Sequence, residues 1–265
     1  MAISFALAVR YHADESGPVR AFTDVQSIDE DVPALRHDHR ATGCPPDDAP
    51  IRRPKMGAVT KKLKDPLVWM DCEMTGLDVV EDALVEVAVV ITDADLTIVD
   101  PGIDILITPP QSALDHMNDF VRNMHTTSGL LNDLTDGLPL EEATTRVLDY
   151  ITKFVPTKGD ALLAGNSIGT DKMFLEAYMP SVIDHLHYRV VDVSSIKELA
   201  KRWHRKAFDG APVKHGGHRA LADIRESIQE LEYYRRVLFP TEPVTAAQAK
   251  KAAAEALALG ITTDA

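Results

Sequence analysis

The sequence predicts an α/β fold, a mixed five-stranded sheet flanked by helices. Three observations carry this. Residues 67–72, 83–93 and 96–108 are successive β-prone runs split by short turn signals, the pattern of an antiparallel meander. Beyond Pro109 and Pro110 the apolar spacing lengthens to that of helices. The strand-like ALLAG (161–165) and YRVVDV (188–193) then alternate with helical stretches, which adds strands of mixed direction to the meander.

Taken in order, residues 1–65 carry charges of both signs and prolines at 18, 33, 45, 46, 50 and 54 with no sustained period, and read as a flexible extension. Met56, just before Lys61, Lys62 and Lys64, is a candidate alternative translation start. A domain over 66–240 opens with LVWMDCEMTGL (67–77), an apolar strand that ends in Asp71 and Glu73. Side chains two apart on a strand share a face, so these two carboxylates project together and call for a cation. Glu86, inside the second run, is either a further site carboxylate or a salt-bridged residue, and is left outside the site. Leu140, Ala143, Val147, Leu148, Ile151 and Phe154 recur at spacings of three and four, the core-facing stripe of a helix over 139–155. ALLAG leads through Asn166 to Asp171 at the start of the helical DKMFLEAYM, and YRVVDV leads to a helix from Ser195 to about Lys206. The last strong helix spans about Arg219 to Leu238, and the alanine-rich tail (241–265), with few anchoring apolar residues, is frayed or loosely docked.

Composition narrows the function. The chain has 265 residues, 45% of them hydrophobic, enough for a sizeable core. A formal charge of −13 and a pI near 5.2 argue against coating long DNA or RNA, which relies on neutralising many phosphates. Cys44 and Cys72 are too few for a disulfide framework or a cysteine zinc site and fit a reducing cytoplasm. The sequence shows neither an export signal nor a run long enough to span a membrane.

Taken singly, the polar residues are unremarkable. A lone D-x-E is usually the polar end of a strand, Asp171 suits any first helical turn, and a histidine before a helix is usually a surface residue. Their order is specific. D-x-E on a first strand, an aspartate at a strand-to-helix junction about a hundred residues on, and H-x(4)-D (His218, Asp223) on the last helix form the pattern of the DEDDh 3′-to-5′ exonucleases. Within that family the chain from about Leu67 to Pro240 resembles the oligoribonucleases, across WMDCEMTGLD, MHTTSGL, AGNSIGTDKMFL, YRVVDVSSIKELAKRW and HRALADIRES. The resemblance implies an RNase H-like exonuclease fold, a homodimer, and removal of nucleotides one at a time from the 3′ end of RNAs of two to five residues.

The chemistry fits such residues. Breaking a phosphodiester requires neutralising a phosphoryl group, making a nucleophile from water and stabilising a departing alkoxide, and two hard cations can do all three. Asp71, Glu73, Asp171 and Asp223 offer oxygen ligands without the thiolate or imidazole set that would favour zinc, so Mg2+ or Mn2+ is expected. The resemblance makes His218, after the permissive Gly216 and Gly217, the general base. His215 is a rival whose offset from Asp223 does not match the motif. The resemblance also implies that Leu77 wedges the 3′-terminal base and that Phe120, where the family usually has tryptophan, stacks on it without an indole donor. His125 corresponds to a residue near the scissile nucleotide and Ser167 to one near the phosphate. Tyr188, Arg189 and Ser194 resemble the residues that cap a 5′ phosphate, the first two reaching across a homodimer interface. The alternatives are a DEDDh exonuclease for longer RNA or DNA, of the tRNA-trimming or proofreading type, and an inactive binding module. Acidity counts against the first and the intact set of five polar residues against the second.

Overall fold

A computed structural model describes residues 62–214 and 217–259. The expectations for residues 1–61, for His215 and for Gly216 fall outside these. The chain runs β1 (Leu67–Met74), β2 (Leu84–Thr92), β3 (Ile103–Leu106), then the helices α1 (Gln111–His116), α2 (Asp119–Thr127), α3 (Leu130–Asp133) and α4 (Leu140–Phe154). β4 (Leu162–Gly165), α5 (Gly169–Tyr178) and α6 (Pro180–His185) follow, then β5 (His187–Asp192), α7 (Val193–Trp203), α8 (Arg205–Asp209), α9 (Ala220–Leu238) and α10 (Ala246–Ala258).

The five strands form one sheet in the order β3-β2-β1-β4-β5. β1 is antiparallel to β2 and parallel to β4, β3 is antiparallel to β2, and β5 is parallel to β4. This is the expected mixed sheet. β1 and β2 sit centrally and are buried on both faces, which is why their sequences are near-continuous apolar runs rather than alternating ones.

Strand parity divides the core in two. Val68, Met70, Cys72 and Met74 join the larger apolar cluster with Ala143, Val147 and Ile151 of α4, Phe174 and Leu175 of α5 and Val182 of α6. Trp69 joins the other cluster, with Ala88 and Val90 of β2, Ala200 of α7, and Ala220, Ile224 and Ile228 of α9. Asp71 and Glu73 share the parity of Trp69, so they face α9. Trp69 Nε1 donates to Thr92 Oγ1 (3.0 Å), which satisfies the indole on this dry face.

Three elements differ from the sequence expectation. The third strand covers four residues, not 96–108, because Leu96 turns the chain in the left-handed region (φ 65°) and Asp93 Oδ1 accepts from the backbone N–H groups of Asp95 and Thr97, both at 2.9 Å. Only the Thr92–Ile98 bridge pairs before Pro101 and Gly102 interrupt the run. The helix expected from Ser195 to Lys206 starts earlier, at Val193, capped by the Asp192 side chain accepting from Ser194 N–H, and breaks at His204 (φ −136°). In the tail, α10 begins with a Thr245–Gln248 capping box and buries none of its residues. Among the described residues no helix is long and apolar enough to cross a membrane.

Ile151, fully buried on α4, tests the larger cluster apart from the polar face. Ile151→Ala is expected to lower unfolding free energy by about 2–5 kcal/mol in a denaturant titration.

Candidate active site

The sheet brings the four sequence-predicted acids to one end. β4 pairs with β1 only as far as Ala164 opposite Trp69, so the backbone N–H of Cys72 has no strand partner on that side. Asp171, in the first turn of α5, takes its place, its Oδ1 accepting from Cys72 N–H at 2.9 Å. On the opposite side of the site, α9 crosses the face that carries Asp71 and Glu73 and supplies Asp223 from its own first turn. Glu73, His218 and Asp223 each present a ligand atom within 4.8 Å of the others.

These carboxylates are almost sealed from water: Asp71 is 4% exposed, Glu73 4%, Asp171 3% and Asp223 2%. Asp71 Oδ2, both Asp223 carboxylate oxygens and His218 Nδ1 are buried without a hydrogen-bond partner among the described residues. Burial, and then the charges of Asp171, Glu73 and Asp223, hold the Asp71 carboxyl well above its ordinary range. Burial first, with Asp223 and Glu86 adding to it, pushes Glu73 up to about 8. Asp171 rises to about 6 from burial despite the Cys72 N–H, and burial also raises Asp223. Buried, mutually repelling oxygen donors with open lone pairs fit a hard divalent cation.

His218 lies at φ 48°, a conformation rare for a residue with a Cβ. Sequence reasoning assigns the freedom of this segment to its glycines, whereas the histidine itself takes the strained position. Burial lowers the pKa of His125. That residue is completely buried, its Nε2 2.8 Å from the Met74 carbonyl and its Nδ1 3.9 Å from Glu73 Oε2. The ring thus lies beside Glu73, at the end of the sheet where the acids meet.

The other substrate candidates fall in three places. Leu77 and Phe120 are exposed (48% and 55%). Leu77 sits on a turn closed by Asp82, which accepts from Thr75 Oγ1 and Asp78 N–H, both at 2.9 Å. A Cβ on Gly76 would lie 2.3 Å from that carboxylate, so only glycine fits. Ser167 and Ser194 meet directly, their hydroxyls 3.0 Å apart, in a knot with Asn166 and Asp192 that joins the β4–α5 and β5–α7 junctions. Tyr188 and Arg189 are elsewhere, exposed at the start of edge strand β5, where Arg189 Nε donates to Tyr188 Oη (3.1 Å). Arg189 precedes Asp192 by three residues, about 10 Å along the strand.

Two further buried carboxylates stand near the site, one weighed from the sequence and one not. Glu86 turns out to be the salt-bridged alternative, with Oε1 2.8 Å from Arg219 Nε. Glu230 is 2% exposed and bound by Lys214 (2.8 Å) and Lys197 (3.1 Å). The signal for both was a carboxylate at a core-facing position.

Because the folded-state value of Glu73, about 8, lies above its ordinary 4.5, the folded protein holds a proton there that the unfolded chain releases. Stability of the metal-free protein is thus greatest below pH 4.5, as far as this group goes, and falls as pH rises toward 8. Melting temperatures in chelator are expected to drop over that interval, and added divalent cation to raise them more at pH 8 than at pH 6.

The family described as Exonuclease (RNase_T) matches residues 68–231. An oligoribonuclease of Leifsonia xyli subsp. xyli is 61% identical over 179 residues, covering 68% of this chain and 86% of the relative. One from Cutibacterium acnes is 58% identical over 177 residues, covering 67% and 88%. Among solved structures, the zinc-bound E. coli ExoI–ssDNA complex superposes with a TM-score of 0.52 at 11% identity, over 66% of this chain and 41% of that one. This likeness establishes the exonuclease, RNase H-like fold alone, and the chain spans about two-fifths of that protein's length. With the exonuclease domain spanning the sheet and its polar end, and oligoribonucleases matching it along most of their length, the chain belongs to the oligoribonuclease family of DEDDh exonucleases and is a 3′-to-5′ exoribonuclease.

Proposed function

We propose that the enzyme degrades RNAs of two to five nucleotides, dinucleotides above all, to mononucleotides, with two divalent cations, Mg2+ or Mn2+, at Asp71, Glu73, Asp171 and Asp223. The observation that carries this reading is the convergence of four buried carboxylates, of which Asp71 Oδ2 and both Asp223 oxygens have no hydrogen-bond partner among the described residues. Bound there, the cations supply the positive charge that a phosphoryl group needs in order to accept a nucleophile.

The chain's own residues do the rest. His218, its ring within 4.8 Å of ligand atoms of Glu73 and Asp223, removes a proton from the attacking water. Water oxygen bonds to phosphorus and the bond to the 3′ oxygen of the preceding nucleotide breaks, which leaves a mononucleotide and a shortened strand. Leu77 and Phe120 hold the 3′-terminal base by apolar contact and stacking, and their exposure leaves both faces free for it. Ser167 orients the phosphate and His125 stands by the scissile nucleotide, while Ser194 belongs with the 5′-phosphate cap.

Short substrates follow from charge. At −13, each further phosphate on a strand adds repulsion, while a dinucleotide brings almost none. The edge strand β5 exposes Tyr188 (76%) and Val190 (39%), and Trp203 of α7 is 69% exposed, apolar surface that suits a homodimer. In such a dimer Tyr188 and Arg189 cap the 5′ phosphate in the partner's site. Free, buried Cys72 suits a cytoplasmic setting.

A time course on 5′-labelled RNAs of about two, three, seven and twenty nucleotides tests substrate length. Fastest turnover on the shortest, silenced by chelator and by Asp223→Asn, is expected. Equal or faster cleavage of the longest would move the enzyme to the longer-substrate alternative. Arg189→Ala is expected to slow 5′-phosphorylated dinucleotides more than unphosphorylated ones, and an equal loss on both would remove the cap.

A further inference from the structure

Glu86 stands where an apolar residue would be expected. It is fully buried near the start of β2, directly opposite Glu73 in the strand register. Like charges in that position destabilise a sheet, and a buried ion pair is itself a weak source of stability. Both of its oxygens nevertheless accept from one short stretch of chain, and Asp104 of β3 lies against the same carboxylate and the same arginine. Oε1 accepts from Arg219 Nε at 2.8 Å, and Oε2 accepts from Ala220 N–H, the first of α9, at 3.0 Å. The carboxylate thus satisfies a helix-start donor and lies at the positive end of the helix dipole. Arg219 reaches on to Asp133 Oδ2 at 2.9 Å, which ties the start of α9 to the end of α3.

That stretch begins with the strained residue. His218 sits at φ 48° and Arg219 returns at once to extended backbone, φ −129° and ψ 121°. Such a reversal persists only where its surroundings over-determine it. On the far side of His218, Lys214 Nζ is fixed 2.8 Å from Glu230 Oε2, and the same carboxylate oxygen accepts from Asn166 Nδ2 at 3.1 Å. Asn166 starts the connection that leads to Asp171.

We infer that Glu86 and Arg219 are positioning residues: their buried ion pair, opposed by Lys214–Glu230, fixes the orientation of the His218 ring relative to Glu73 and Asp223. The inference rests on His218 being the general base.

The test compares His218→Ala, Arg219→Lys and the double variant Glu86→Gln/Arg219→Met on a dinucleotide with Mn2+. In the double variant, glutamine keeps an acceptor for Ala220 N–H and methionine fills the space of the arginine stem, so the fold loses charge but little volume. Its melting temperature is expected to stay near that of the wild type and its KM within about twofold, while kcat falls about 10- to 100-fold. Arg219→Lys, which keeps the charge, is expected to retain more of kcat than the double variant. A wild-type kcat in the double variant, or a kcat loss that appears only where melting temperature also falls, would make the pair structural and overturn the inference. If the double variant fails to fold, Arg219→Lys decides alone: a lower kcat at unchanged melting temperature supports positioning, and an unchanged kcat overturns it. Full activity in His218→Ala would instead overturn the general-base reading, a separate failure.

Discussion

Mutual repulsion among carboxylates at the end of β1 is the constraint around which the rest of the molecule is arranged. Glu73 and Asp223 offer oxygens within 4.8 Å of each other, with Asp71 and Asp171 close enough to raise each other's affinity for protons. Two unit charges at about 5 Å in an effective dielectric near 20 repel by roughly 3 kcal/mol, and several such pairs meet here. Asp71 Oδ2 and both Asp223 oxygens accept no hydrogen bond among the described residues, although the Lys214 charge reaches Asp223. The site is held together by what surrounds it: apolar clusters on both faces of the sheet and two helices, α5 and α9, whose first turns are built into it.

Strand parity lets one short sequence do both jobs. In WMDCEM, Met70, Cys72 and Met74 pack into the larger cluster while Trp69, Asp71 and Glu73 face α9. The helix repeats the device at its own period, with Ala220, Ile224 and Ile228 turned to the sheet and Asp223 pointing into the acids. A candidate site carboxylate and its packing neighbour are therefore fixed by the same backbone. The residues proposed to handle substrate are set on looser ground: Leu77 lies on a turn and Phe120 on a short helix, each about half exposed.

Most of this arrangement is legible in the sequence because it depends on local period. The D-x-E spacing fixes a shared face, ALLAG is too short and apolar to be anything but a buried strand, and the stripe on 139–155 gives α4 its inner side. What is not legible depends on partners distant in sequence. The third run is β-prone throughout, yet Asp93 folds its first half into a turn. His204 breaks a helix whose propensity continues through it. His125 matches a substrate-contacting position by motif, but its hydrogen bond to the Met74 carbonyl joins residues 51 apart in the chain. Glu86 could be weighed only as site acid or salt bridge, since its arginine lies 133 residues on.

The proposed substrate class and the proposed positioning pair share one electrostatic logic. An acidic protein that must bring a phosphodiester to four carboxylates has to confine positive charge to where it acts. Arg219 and Lys214 are spent inward, on Glu86 and Glu230, and so add nothing to an attractive outer surface. Arg189 is exposed on the edge strand, its Nε on Tyr188 Oη. On the proposed reading, a cation at the acids would attract the phosphate, with a reach through physiological salt on the order of a Debye length, about 8 Å. A field that short would hold one phosphate well and a string of them poorly, so the proposed metal site and the proposed short substrate agree.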